Sequence, residues 1–477
     1  MRRVVPTFPI DVAEPSTGLR ADGIAHSRPL LLLERTMYRE GNTPFTCVFP
    51  VRLEGTLDVE RLRWALCTLQ AKHPLLRCVV ERANGRHQFV MQDYPAPIPL
   101  RIVERRGEDD WQDEVRREWT VPFGATRDPL VRFVWVRGTG TSELIMVAHH
   151  CICDGQSGMS LLQECLCACD NPYRERGTQN ALITLEDLVP ASLREDRCFQ
   201  RRVQWKMRLL RLGLRLKRKN SAQTRFAITA EQMYFHRWRL DAHTSQSIMD
   251  RCKAEDVTVL AAATVAFVQA FRQIRGTSAL RKAYAMVNAR KFLPHLRPDT
   301  LFGIAPGVEL TLKRILPGER SEGSFWESAR AVKMDMTRRI DRLGAGLYKY
   351  LVGLETLHDK YDRLVGDTEG TSAVRHLTLS NMGRLDMPTH YRTFTVARAY
   401  SPLVMVSPTP ANTVVLSSYG GQLEFAIVSD TQSLPRAQAA AIQERAMGLF
   451  RTCAGMANSE TSTSLDGVPD LAGAKSK

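Results

Sequence analysis

The chain has 477 residues, which at roughly 100–200 residues per domain suggests two to four units. Its 44% hydrophobic and 25% charged residues exclude a disordered chain, a collagen-like repeat and a coiled-coil rod. The net charge of +15 invites a nucleic-acid reading, but nine of the cations fall in residues 201–220, which hold no acid, and without them the excess is only +6.

The opening residues Met1-Arg2-Arg3 soon meet Pro6, Pro9, Asp11 and Glu14, so the apolar core of a secretory signal is missing. Residues 48–55 read as a strand closed by Gly55, and Asp58 caps a helix through Leu62, Ala65, Leu66 and Leu69. Residues 73–81 read as a second strand, with Asn84-Gly85 turning into a third at 87–92. Two β-rich runs, 131–138 and 143–150, flank a Gly/Thr/Ser turn. A sharp turn over 151–158 then leads to a helix from Met159 to Ala168.

A patch rich in Asn, Pro, Arg and Gly at 171–180 precedes a connector with the basic stretch. As a helix that stretch places 203/207/210/214 and 205/209/212/216 on opposite sides, so the alternation in 211–217 predicts a strand instead. From 226 the α/β pattern resumes with a strand at 234–240. Thr244 is expected to cap one helix, and Asp256 with Thr258 to open another. Residues 283–290 read as a buried strand and 324–340 as a helix. Strands follow at 376–381, 413–420 and 423–430, the last two joined by Gly420-Gly421, before a helix from Pro435 to Met447. The expected division is an N-terminal lobe over 1–180, a basic connector over 181–225, a C-terminal lobe over 226–455, and a disordered Ser/Thr/Gly-rich tail over 456–477.

No run of about 18 uncharged apolar residues predicts a membrane-spanning helix. The eleven cysteines include no C-x-x-C, and we read them as buried thiols of a reducing compartment, so the expected location is the cytoplasm.

The stretch that carries chemistry is VAHHCICDGQSG, 147–158, where His149, His150, Asp154 and Gly155 follow an almost wholly apolar strand. Strand ends beside glycine turns are where α/β proteins place reactive groups. A histidine there can act as general base near neutral pH, an acid one turn away can fix the loop, and Gly155 permits close approach. Base-assisted attack on an acyl group and metal binding both fit these residue types. Adjacent histidines on a strand point to opposite faces, which makes them a poor chelating pair, so no metal is expected. A serine hydrolase is disfavoured because no G-x-S-x-G occurs.

His149-His150-Cys151-Ile152-Cys153-Asp154-Gly155 resembles the HHxxxDG signature of the condensation-domain acyltransferase superfamily, which includes alcohol acetyltransferases and polyketide-associated acyltransferases. HPLLRCVVE (73–81), VNAR (287–290) with FLP (292–294), Gly303 and SNMG (380–383) resemble further family elements in the same order. The resemblance implies an α/β pseudodimer of two chloramphenicol-acetyltransferase-like lobes with a tunnel between them. It implies His150 as general base, Asp154 as its motif acid paired with an arginine, for which Arg290 is the candidate, and Asn381 near the tunnel. His149 and Gly155 are supporting positions.

The implied reaction moves an acyl group from a thioester, on coenzyme A or an acyl carrier protein, to a hydroxyl or amine without an acyl-enzyme, ester formation being favoured by SNMG. The acyl thioester is a co-substrate, and no cofactor is expected. The alternative is a catalytically idle homologue that binds carrier proteins or acyl ligands. A monomer with no nucleic-acid partner is expected. For residues 201–220 three readings stay open: an interfacial segment on the inner membrane face, a solvated lobe-packed connector, and a site for an acidic carrier protein or coenzyme A phosphates.

Overall fold

The computed structural model describes residues 26–39, 41, 45–83, 85–123, 128–173, 177–179, 181–216, 232–312, 322–362, 376–406 and 412–455. The expected disordered tail and the end of the basic stretch, 217–220, lie outside these residues.

Two six-stranded sheets organise the chain. In the first sheet the strands lie in the order Phe394–Ala399, Phe45–Gly55, Thr141–His149, Val131–Arg137 and Leu100–Glu104, with Leu403–Val406 also pairing on Phe45–Gly55. In the second the order is Gly307–Leu310, Lys282–Met286, His376–Arg384, Asn412–Tyr419, Gln422–Asp430 and Met233–Arg239. A small sheet of Ser27–Pro29, Arg86–Met91 and Cys78–Ala83 stands apart. The first sheet therefore takes two strands, 394–399 and 403–406, from the far end of the chain. No local periodicity announces that pairing.

Helices Val59–Lys72 and Gly155–Asp170 pack together on the first lobe. The fit is tight: a Cβ on Gly158 would lie 2.1 Å from the Phe49 ring. Asp58 caps the first of these helices by accepting from the Arg61 amide. On the second lobe, Val259–Arg275 lies against Arg436–Cys453 and the long helix Glu322–Glu355. Its Ala261, Ala262, Ala263, Val265 and Ala266 are fully buried, and small side chains let neighbouring helices come close. No single described helix is long and apolar enough to cross a membrane.

Several elements differ from their sequence reading, each for a local reason. Residues 74–77 form a 3-10 turn led by Pro74, and the strand starts only at Cys78. The strand at 282 stops at Met286, because the Asn288 side chain accepts from the Arg290 amide and starts a 3-10 turn. Asp241, not Thr244, caps the helix Ala242–Ala254. The helix expected over 324–340 runs on to Glu355 through Gly344 and Gly353, where close approach to Phe292 and Met207 takes the space of a side chain. Residues 211–216, expected as a strand, instead continue a helix from Arg197, whose Phe199, Val203 and Met207 are buried on one face against Leu357 and Tyr361. Most cysteines are buried, but Cys67 and Cys198 are exposed; among the described residues none forms a disulfide.

Candidate active site at the seam between the lobes

Strand Thr141–His149 ends where its partner strand begins, with His149 opposite Thr46 and the His150 amide donating to the Phe45 carbonyl at 2.8 Å. The next four residues bring the backbone round to Asp154, so the two histidines leave the strand in different directions.

His149 points into the first lobe, 5.5 Å from the Tyr38 ring and 5.8 Å from Phe123 between centroids. Its Nδ1 accepts from the Cys151 amide at 3.2 Å, which puts the ring proton on Nε2, a buried atom with no partner among the described residues. Burial, with the neighbouring His150 and Arg132, pushes its pKa down to about 3, so the ring is neutral.

His150 takes the opposite tautomer. Its Nδ1 donates to the Cys153 carbonyl at 2.7 Å, and a carbonyl can only accept, so Nε2 keeps its lone pair. The ring lies edge-on to Phe45 at 5.3 Å. Burial pushes its pKa below the ordinary histidine value, with the Cys153 hydrogen bond and the Asp154 charge pulling the other way. A neutral imidazole with one nitrogen anchored and the other free to accept is equipped to be a general base. Burial raises the Cys151 thiol well above its ordinary range, which removes it as a nucleophile at neutral pH.

Asp154 is the N-cap of helix Gly155–Asp170, so the helix starts four residues before the sequence reading placed it. Its Oδ1 accepts from the Ser157 amide and hydroxyl, both at 2.9 Å. Its Oδ2 accepts from Arg290 Nε at 2.7 Å. The rest of the Arg290 guanidinium donates to the carbonyls of Arg297, Thr300 and Phe302 at 3.0–3.1 Å. Both side chains of the pair are nearly inaccessible, at 4% and 7% exposure. One buried arginine thus pins the motif loop of the first lobe to the 297–302 segment of the second.

Three contacts at the seam could not be read from the sequence, although Gly303, His73 and Asn288 lie in the family-like segments. A Cβ on Gly303 would sit 2.3 Å from the His150 carbonyl and 2.9 Å from that of Cys151, so this position needs glycine for space. Lys72 Nζ bridges Glu164 at 2.7 Å and Asp299 at 3.0 Å, and His73 Nε2 lies 2.9 Å from Glu164. Asn288 donates to Gln156 Oε1 at 2.7 Å across the same seam. A glycine, a lysine and an asparagine in loops or at helix ends carry no signal of such long-range partners.

Beside the motif lies a cavity of about 500 Å3, lined by Asp154, Gly155, Met159, Asn288, Asn381 and Met382 among others. Asn381 is exposed, and its Oδ1 accepts from the Gly383 amide at 2.8 Å, a turn contact. Met382 crowds Gly155: a Cβ there would meet its Cε at 2.4 Å. His150 is not a lining residue and is 7% exposed. The wall of this cavity begins at Asp154, and the cavity does not show the expected tunnel to His150. Among the described residues no cluster of three His, Cys, Asp or Glu side chains could hold a metal.

A condensation-domain family model matches residues 36–278, and the chain belongs to that family. Curated relatives are peptide synthetases. Cyclosporin synthetase of Tolypocladium inflatum is 35% identical over 121 residues, 24% of this chain and 1% of the synthetase. Surfactin synthase subunit 2 of Bacillus subtilis is 28% identical over 135 residues, 27% of this chain and 4% of the subunit. The chain thus matches only a few per cent of the length of these relatives.

Solved structures share the two-lobed fold. The trichothecene 15-O-acetyltransferase TRI3 of Fusarium sporotrichioides aligns with a TM-score of 0.69 at 12% identity, covering 90% of this chain and 95% of that one. Polyketide synthase associated protein 5 of Mycobacterium tuberculosis aligns at 0.60 with 16% identity, covering 89% and 98%. The first condensation domain of the CDA synthetase gives 0.61 at 15% identity, covering 93% and 99%. The fold is the chloramphenicol-acetyltransferase-like pair of lobes.

Proposed function

We propose that this protein transfers an acyl group from a thioester, on coenzyme A or an acyl carrier protein, to a hydroxyl or amine, with ester formation the favoured outcome. The observation that supports this most directly is the tautomer of His150: Nδ1 bound to the Cys153 carbonyl, Nε2 left as acceptor. Nε2 takes the acceptor's proton as its oxygen or nitrogen attacks the thioester carbonyl. The tetrahedral intermediate expels the thiolate, which recovers a proton, giving ester or amide plus free thiol. No acyl-enzyme is needed. Base assistance of this kind is worth about 10²–10⁴ in rate, and holding both substrates at one seam adds more. The acetyltransferase among the structural neighbours and the SNMG segment favour an oxygen acceptor.

One observation favours a second reading, a homologue that binds carrier proteins or acyl ligands without turnover: His150 does not line the seam cavity. A panel of acyl-coenzyme A and acyl-carrier donors, offered with alcohol and amine acceptors, separates the two. Thiol release dependent on acceptor and lost in His150→Ala supports transfer. Tight acyl-carrier binding with no thiol release from any donor supports the idle reading.

A further inference from the structure

Helix Arg197–Leu216 carries a second apolar stripe that the fold does not use. Phe199, Val203 and Met207 are buried on the second lobe. Trp205, Leu209 and Leu212 are 66%, 50% and 53% exposed. At 3.6 residues per turn, Trp205 and Leu212 point directly away from Val203, with Leu209 beside them. Arg201 and Arg208 flank this ridge on one side, Arg202 and Lys206 on the other. All four are exposed, and among the described residues none makes a hydrogen bond or ion pair. The helix holds seven cations and no acid. Of the nearby acids, Asp359 is engaged by Arg211, and Glu195 and Asp196 precede the first turn.

We propose that this face docks on an anionic lipid bilayer. The Trp205–Leu209–Leu212 ridge enters the boundary between headgroups and acyl chains, and the flanking cations hold lipid phosphates. Three observations select that partner. The charge is wholly of one sign, so the partner is anionic. A tryptophan at the centre of the ridge suits the depth where water meets hydrocarbon. Long cationic side chains on both flanks can reach phosphates while their stems lie along the apolar strip. Nucleic acid would satisfy the charge but leave Leu209 and Leu212 in water. An acidic protein would need a groove to receive an outward ridge.

The test uses the full chain and sedimentation with vesicles of phosphatidylcholine alone or mixed with phosphatidylglycerol. Binding is expected to the anionic vesicles only, and to weaken with salt. Neutralising Arg201, Arg202, Lys206 and Arg208 to Gln lowers binding by roughly fivefold per charge at low salt. The triple variant Trp205→Ser, Leu209→Ser, Leu212→Ser loses binding while its thermal midpoint holds, since all three side chains face solvent. Trp emission shifts to the blue on binding, and this shift disappears in Trp205→Phe. No binding at low salt overturns the proposal. So does equal binding to neutral vesicles, or anionic binding that the serine variant retains in full. Binding to an acidic carrier protein or RNA, with none to vesicles, also overturns it.

Discussion

Arg290 Nε meets Asp154 Oδ2 at 2.7 Å across the seam, and both terminal nitrogens of that guanidinium donate to carbonyls of its own lobe. The pair is structural as much as electrostatic. Asp154 uses its second oxygen to start the helix behind the base, so the same carboxylate sets the helix, the loop and the contact between lobes.

Removing that carboxylate should therefore cost stability. Asp154→Ala leaves a buried arginine unpaired and the helix uncapped, an effect of about 3–5 kcal/mol for breaking a buried pair. Asp154→Asn keeps an acceptor and a good cap and should lose less. Denaturant unfolding of both variants checks the order. If Asp154→Ala unfolds at the wild-type midpoint, the pinning role is wrong.

His150→Ala should lower turnover by about 10²–10⁴ with little change in the folded fraction. In the wild type the base is active when neutral. Because burial lowers the His150 pKa, the acid limb of the kcat/KM profile should bend below 6.5, the ordinary histidine value. A limb centred above that value would contradict the assignment.

His149 makes a separate prediction about acid stability. Its pKa is held near 3 in the fold against 6.5 in the unfolded chain, so between those values the unfolded chain binds the extra proton. Stability from this group is complete above about pH 6.5 and declines as pH falls, by about 1.4 kcal/mol per unit down to about pH 3. His149→Phe should flatten that slope by close to one proton, as read from unfolding free energies at a series of pH values.

Gly155 and Gly303 are both crowded, but by different neighbours. A methyl at 303 meets the backbone carbonyls of His150 and Cys151, whereas one at 155 meets the flexible end of Met382. Gly303→Ala should thus shift the loop that carries the base and lower turnover on the order of 10²-fold. Gly155→Ala should be tolerated with a smaller loss, because a methionine can change rotamer. Parallel kinetics of the two variants give the comparison; equal losses would remove the distinction between backbone and side-chain crowding.

Local chemistry made much of the fold legible. Asp58 and Thr258 cap the helices their positions suggest, and Gly420-Gly421 turns the last hairpin. The HHxxxDG stretch and VNAR pointed to residues that the fold does bring together, Asp154 with Arg290. What escaped depends on partners far away in sequence. Gly155 reads as a turn until Asp154 is seen capping a helix on it. Residues 211–217 read as a strand because apolar and cationic residues alternate there and the two helical stripes face opposite ways; only packing on Leu357 and Tyr361 shows that one stripe is core. The space requirement at Gly303 exists only once two lobes meet.

The strands Phe394–Ala399 and Leu403–Val406 lie on the edge of a sheet whose other members come from the first 150 residues. The halves are thus interlocked through backbone hydrogen bonds as well as side chains. An N-terminal fragment cut within the connector would present an open β edge along Phe45–Gly55 and is expected to aggregate when expressed alone. Supplying the remainder in trans should rescue it, so split-chain complementation is the natural assay of how the protein is put together.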